Sequence, residues 1–216
     1  MYLPWHWATP VLGRPDVETW TSLTDAETSK LTELAAGRVC LEIGAAFGYS
    51  TAAMASVAKR VWSIDPHNVT PGGVRAHYHF FDDKVPGGYE STSVVLERLL
   101  TVLGLKDKVT PCLGYSHDLI GPPVGELLPD LVSPPVTFCF IDGDHSYKAA
   151  FHDLVACLGL PLPPGAERIV AVHDFGEDTN PDVAQVVLDW LRLFNEPPCE
   201  LELTDTLAVL RVTAAS

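Results

Sequence analysis

The sequence predicts a doubly wound α/β fold: a seven-stranded, mostly parallel sheet that closes on an antiparallel C-terminal hairpin, with helices on both faces. Three observations lead there. Short β-type apolar runs alternate with longer stretches of helical periodicity, the order that lays parallel strands side by side under crossover helices. The last apolar stretch, CELELTDTLAVLRV, instead reads as two alternating runs around Thr204-Asp205, a hairpin. The 216 residues are 47% apolar and 19% charged, enough to bury one full core and too apolar for disorder. One domain over 1–216 is the expectation.

The opening segment, to about Gly13, is aromatic and proline-rich, and Trp5, Trp7 and then Trp20 have three uses open to them: a pocket wall, a contact between two copies, or the core. A helix is predicted from Thr24 to near Gly37, because Thr24-Asp-Ala-Glu27 is a capping-box pattern and Leu31 and Leu34 follow at helical spacing. The first core strand is Val39 to Ile43; a glycine turn and a helix over Tyr49 to Ala58 follow. The second, Val61 to Ile64, ends at Asp65. Residues 66–90 then break the pattern with a Pro-, Gly- and His-rich segment that is long for a connection in a compact domain. It reads as a lid or substrate loop, and His77 and His79 within it as a solvated loop rather than a metal site. A helix resumes over Thr92 to Leu103, and a strand covers Val109 to Leu113 before a proline-rich connection from Gly121 to Pro135. Strand Val136 to Ile141, helix Tyr147 to Leu158 and strand Ile169 to Val172 complete the alternation. Asn180-Pro181 then cap a helix that runs to about Phe194.

Charge narrows the partners. With 14 Lys and Arg against 28 Asp and Glu, the net charge of −14 repels a phosphate backbone, so neither nucleic acid nor an anionic membrane is expected. The five cysteines, Cys40, Cys112, Cys139, Cys157 and Cys199, show no zinc-knuckle or redox spacing, which suits a reducing setting; Cys40, Cys112 and Cys139 sit in apolar stretches and read as small buried apolar residues. No signal-peptide pattern and no apolar run of membrane-spanning length is visible, which makes the expected location cytoplasmic.

The strongest local motif is LEIGAAFGYST, a strand that runs into a turn with Gly44 and Gly48 and then into a helix, so that backbone can approach a ligand closely. It lacks the GxGxxG spacing and the P-loop lysine, which weakens dinucleotide and ATP readings. Asp65 stands about twenty residues after this turn, where a carboxylate can accept both hydroxyl protons of a ribose. Ribose recognition without a pyrophosphate cradle points to an adenosine-type cofactor that carries a cation. The structural alternatives are a strand-end carboxylate satisfied by backbone N–H groups for Glu42, and a helix cap for Asp65. Asp142 and Asp144 follow the fourth strand and His173 with Asp174 the fifth; neighbouring parallel strands present their carboxyl ends on one rim, so these groups converge on the crevice.

Taken in order, Glu42-Ile-Gly-Ala-Ala-Phe-Gly48-Tyr-Ser-Thr, Ile64-Asp65-Pro-His67, Gly114-Tyr-Ser116-His117-Asp118, Phe140-Ile-Asp142-Gly-Asp144-His145-Ser-Tyr147 and Val172-His173-Asp174 resemble the class I S-adenosylmethionine-dependent methyltransferases. Within them the chain is similar to the small-molecule O-methyltransferase branch with an IDGDHSY signature, methyltransferase family 24. The resemblance runs from Val39 to Asp174 and implies a Rossmann-like fold. It implies that Glu42 and the turn residues Gly44, Ala45, Gly48, Tyr49 and Ser50 hold the methionine part of S-adenosylmethionine. Asp65, with His67 beside it, would take the ribose, Ser116 and His117 would border the adenine, and Asp142 would serve both cofactor and catalysis.

Metal-dependent relatives carry an acidic residue at Asp142 and a metal-binding pair where His173 and Asp174 stand, so the resemblance implies a divalent metal on Asp142, His173 and Asp174. Such an ion would bind the substrate hydroxyl, lower its pKa and fix its oxygen in line with the methyl group. Mg²⁺ is the family ion; the histidine departs from an all-oxygen set and leaves Mn²⁺, Zn²⁺ or no metal open. His145 stands near the lysine of catechol-type members and completes the catalytic candidates with Asp142 and Asp144. As an imidazole it suits a general base, with a helix-capping histidine as the alternative. The expected activity is methyl transfer from S-adenosylmethionine to a hydroxyl of a small-molecule acceptor, in a monomer or homodimer. A catalytically silent cofactor-binding protein and a hydroxylase-labelled relative on the same fold are the alternatives.

Overall fold

The structure, a computed structural model, describes residues 6–7, 11–14, 16–67, 91–120, 134–176, 180–193 and 199–213. The lid reading of 66–90 therefore falls, from residue 68 on, outside the described residues, as do Trp5, His77 and His79.

Two short strands, β1 (His6–Trp7) and β2 (Trp20–Thr21), pair antiparallel ahead of helix α1 (Asp25–Ala35). The Thr24 side chain accepts from the Glu27 N–H and the Glu27 carboxylate accepts from the Thr24 N–H, so the capping box read from the sequence is present. The chain continues through β3 (Val39–Ile43), α2 (Tyr49–Val57), β4 (Arg60–Asp65), α3 (Thr92–Leu103), β5 (Val109–Leu113) and the single-turn helix α4 (Ser116–Leu119). It closes with β6 (Phe138–Ile141), α5 (Tyr147–Gly159), β7 (Glu167–Val172), α6 (Pro181–Leu193) and the hairpin β8 (Cys199–Thr204) and β9 (Leu207–Thr213).

The main sheet has seven strands in the order β5-β4-β3-β6-β7-β9-β8; the first five are parallel, and β9 is antiparallel to both β7 and β8. Every residue of β3 and β6 is buried, as a central strand covered on both faces requires, and this is why both read as continuous apolar runs rather than alternating ones. One apolar layer packs α1, α2 and α3 on the first face; α5 and α6 pack on the other. The chain steps outward from β3 to β4 and β5, then returns to place β6 on the other side of β3. That reversal opens a crevice at the carboxyl ends of β3 and β6, where open α/β sheets bind ligands.

Differences from the sequence reading are small and local. β6 begins at Phe138 rather than Val136: Thr137 still donates its N–H to the Val39 carbonyl, but the paired register with β3 starts at Phe138. Cys40, Cys139 and Cys157 are buried and Cys112 and Cys199 half-buried, all as free thiols. Arg168, fully buried in β7, donates to the carbonyls of Cys157, Leu158, Leu160, Pro161 and Val136, and so closes the C-terminal end of α5. Among the described residues no helix is long and apolar enough to cross a membrane.

Candidate active site

A cavity of about 1200 Å³ follows the carboxyl ends of β3, β4, β6 and β7. Its floor is the turn after β3. Gly44 sits at φ +91, and a Cβ there would collide with the carbonyl oxygen of Asp142, so only glycine lets β3 and β6 close at this point. Gly48 sits at φ +86 and starts α2, but a Cβ on it would fall 2.5 Å from Leu96 Cδ1. It therefore serves the packing of α2 on α3 and is not part of the cavity wall, unlike Gly44, Ala45, Tyr49 and Ser50.

Two further residues expected at the cofactor are also absent from the cavity wall. Glu42 does not reach the cavity wall. It is fully buried, with Oε1 accepting from Ser50 Oγ at 2.6 Å and Oε2 from Thr51 Oγ1 at 2.5 Å and Ser63 Oγ at 2.7 Å. Burial pushes its carboxyl up to about 7, against the pull of those three hydroxyls. Glu42 thus braces the start of α2 from beneath, and Ser50 is its link to the cavity. His67 is likewise buried off the wall, with Nδ1 2.7 Å from Thr92 Oγ1, and burial lowers its pKa. Residues at strand ends alternate between cavity and core, and the sequence does not show which way each turns.

Asp65 does line the cavity. Its Oδ2 accepts the N–H groups of Ala45 and Ala46 at 2.9 Å and its Oδ1 that of His67 at 2.6 Å, so the carboxylate fixes the glycine turn. A carboxylate offers about four acceptor sites, and three are taken by these bonds. At the same end, Ser116 and His117 lie on α4 beside Tyr115, whose ring stacks on His117 at a centroid distance of 5.4 Å. Ser116 Oγ donates to the buried Asp153 Oδ1 at 2.5 Å, and burial raises the Asp153 carboxyl.

At the other end the structure brings Asp142, His145, His173 and Asp174 together. His145 Nε2 stands 2.9 Å from Asp174 Oδ2 and 3.6 Å from Asp142 Oδ1; His173 Nδ1 stands 3.2 Å from Asp174 Oδ1 and 3.4 Å from Asp142 Oδ1. His173 Nε2 faces Glu27 Oε2 at 3.4 Å. The nitrogens that face the aspartates are within ion-pair distance but not aligned for a hydrogen bond. Coulomb attraction depends on separation rather than alignment, so it still sets the direction of the shifts. Burial opposes charge on His145, but Asp142 and Asp174 outweigh it and push its pKa up to about 10. Burial opposes charge on His173 too, and Asp142, Asp174 and Glu27 hold it well above its ordinary value. The same pairs hold Asp174 and Glu27 low against burial. At neutral pH, with no metal bound, His145 is therefore a cation rather than a free base.

Asp144 is exposed at the rim and accepts the Ser146 N–H at 2.8 Å, the bond of a loop cap. Of the uses left open for Trp20, the structure puts it with Thr21, Ser22 and Leu23 on the cavity wall; sequence reasoning missed two contributors, Asp153 behind Ser116 and Glu27, whose capping-box role hid its second contact.

The comparisons with known proteins agree with this fold. Solved structures with the same fold include an O-methyltransferase from Bacillus cereus in complex with SAH (16% identity, 88% of this chain and 82% of that one covered, TM-score 0.57). The O-methyltransferase TomG from Streptomyces achromogenes, involved in tomaymycin synthesis and solved with SAM, is similar at 16% identity over 89% of this chain and 82% of its own, with a TM-score of 0.57. An rRNA methylase from Streptococcus thermophilus matches at 13% identity over 88% of this chain and 94% of its own, with a TM-score of 0.51. At such identities the likeness is one of fold. No curated protein matches the sequence. A family model described as a methyltransferase domain, methyltransferase family 24, matches residues 41–175, from within β3 to just past β7, and the chain belongs to that family.

Proposed function

We propose that the chain is an S-adenosylmethionine-dependent methyltransferase that methylates a hydroxyl oxygen of a small molecule. The observation that carries this reading is the continuity of the cavity. One volume joins the Asp65-pinned glycine turn to the Asp142, His145 and Asp174 cluster, and at about 1200 Å³ it exceeds the ~300–1000 Å³ of an ordinary ligand pocket. It has room for a methyl donor and an acceptor together. The solved neighbours named for O-methylation and for SAH or SAM complexes support the choice of chemistry. The net charge of −14 favours a small acceptor over the RNA of the rRNA methylase.

The residues fit the cofactor: the Gly44 to Ala46 turn, pinned by Asp65, lines the cavity with backbone, and the acidic side chains of the rim suit a cation. S-adenosylmethionine supplies an electrophilic methyl group on a sulfonium ion. Asp65 would give its remaining acceptor site to the ribose, Ser116, His117 and Tyr115 would flank the adenine, and Ala45, Tyr49 and Ser50 would hold the methionine end. Each fixes direction, and holding donor and acceptor in line is the main contribution a protein makes to such a transfer. Trp20 and Leu23 give the cavity a buried apolar wall, which would help to exclude water from a bound acceptor.

The residues also fit a divalent metal. Asp142, His145 and Asp174 present ligand atoms within 4.8 Å of one another, and His173 turns an unaligned buried nitrogen toward the same carboxylates. Asp142 and Asp174, with His173, are the proposed ligands; an ion there would acidify and orient the acceptor hydroxyl. Without it, His145 and His173 neutralise the two aspartates and keep them in place. The test is transfer of labelled methyl from S-adenosylmethionine to phenols, sugars and polyketide alcohols beside ribosomal RNA. Label in a small-molecule product is expected; label in the RNA alone would overturn the reading.

A further inference from the structure

We propose that the cation site at the ends of β6 and β7 is nitrogen-rich, with His173 and His145 joining Asp142 and Asp174 and Glu27 of α1 orienting His173, so that it selects a transition ion such as Zn²⁺ or Co²⁺ over Mg²⁺. This rests on the metal reading above and goes beyond it in naming two imidazoles, a remote positioning residue and the class of ion.

His173 carries the argument. It is 2% exposed, and its Nδ1 has no aligned hydrogen bond although Asp142 and Asp174 oxygens stand 3.4 and 3.2 Å away. Two carboxylates converge on this buried nitrogen with no aligned hydrogen bond to either, and a cation held between the three groups would satisfy them together. The other ring nitrogen, Nε2, faces the Glu27 carboxylate at 3.4 Å. An imidazole with one N–H given to a carboxylate has its tautomer fixed, with the opposite lone pair free for a metal.

Glu27 is built to hold that orientation. Its Oε1 accepts both the N–H and the hydroxyl of Thr206, at 2.9 and 2.7 Å, and its Oε2 accepts the Thr24 N–H at 2.9 Å. The carboxylate is fully buried and tied to the start of α1 and to the β8–β9 turn, 146 positions from His173 in sequence. A capping box on an exposed helix needs none of this. Three anchors on one carboxylate leave it a single way to face the histidine.

His145 supplies the second nitrogen, 2.9 Å from Asp174 Oδ2, and with Asp142 and Asp174 it forms a compact donor set. Mg²⁺ prefers oxygen ligands in a near-ideal octahedron and retains its waters. Imidazole beside carboxylate suits zinc and the later first-row ions, which bind such sites more tightly.

The test uses the full chain, stripped of metal with a chelator and titrated with Co²⁺ while the visible d–d bands are recorded. One equivalent of Co²⁺ should bind with bands of imidazole-bearing coordination, yield to Zn²⁺ and resist a large excess of Mg²⁺. Glu27→Gln should weaken Co²⁺ binding by about 10- to 100-fold. The half-exposed His145→Ala change, which leaves the core untouched, should weaken binding and alter the bands. SAH binding, measured on each variant, reports that the fold persists. Equal competition by Mg²⁺ would overturn the proposal, as would Co²⁺ failing to bind a chain that still binds SAH, or a Glu27→Gln variant with unchanged affinity and spectrum. Metal binding without SAH binding would instead count against the methyltransferase reading and leave this site standing.

Discussion

Replacing Glu42 by Gln removes one buried ionisable group while leaving an oxygen to accept from Ser50, Thr51 or Ser63. Burial raises the Glu42 pKa from 4.5 to about 7 in the folded chain. A raised carboxyl keeps its proton longer in the folded state than in the unfolded one. Its contribution to stability is therefore complete below the unfolded value and is lost as pH rises through the folded value. A difference of about 2.5 pH units at 1.36 kcal/mol each gives about 3 kcal/mol lost between pH 4.5 and 7. Urea unfolding of the ligand-free wild type and of Glu42→Gln across pH 4.5 to 8 isolates this quantity, because His145, His173 and the other titrating groups are common to both. The variant should gain on the wild type by about 3 kcal/mol from the acid to the alkaline end of that range. Parallel curves would show that Glu42 does not hold a raised pKa, and the account of it as a buried brace would fail.

Other changes reach different parts of the structure. Gly44→Ala forces a side chain onto the Asp142 carbonyl at φ +91 and should lower stability by more than the ~1 kcal/mol of left-handed strain alone, with SAH binding lost in calorimetry. Arg168→Leu strips five carbonyls of their donor and should cost about 3–5 kcal/mol in urea unfolding, since the C-terminal end of α5 is then buried without partners. His145→Ala should slow methyl transfer by about 10- to 100-fold while SAH affinity stays near the wild-type value, because His145 stands at the acceptor end of the cavity. Normal turnover in that variant would remove His145 from the machinery.

Much of the scaffold was legible in the sequence, for physical reasons. Val39–Ile43 and Val109–Leu113 are short β-type apolar runs bounded by turns, Thr92–Leu103 is a helical stripe closed by Gly104 in the left-handed region, and Thr24 with Glu27 is a capping box. The pair β1–β2 and the single turn α4 were not, because two to four residues are too few to show a period. The site divides along the same line. Gly44, Asp65, Asp142, His145, His173 and Asp174 meet around one crevice because strand ends of a parallel sheet must do so. Glu42 and His67 turn inward, and Glu27 arrives from a helix that precedes the sheet. Those placements depend on tertiary packing, which no local pattern encodes.

The central claim is that the crevice between β3 and β6 is a cofactor site pinned by Asp65. Isothermal titration of the full chain with S-adenosylhomocysteine tests it directly. The account predicts one site per chain of micromolar affinity, weakened at least tenfold in Asp65→Ala, where the ribose partner and the Ala45 and Ala46 anchors are lost together. No heat of binding at micromolar concentrations, or binding indifferent to Asp65→Ala, would contradict it.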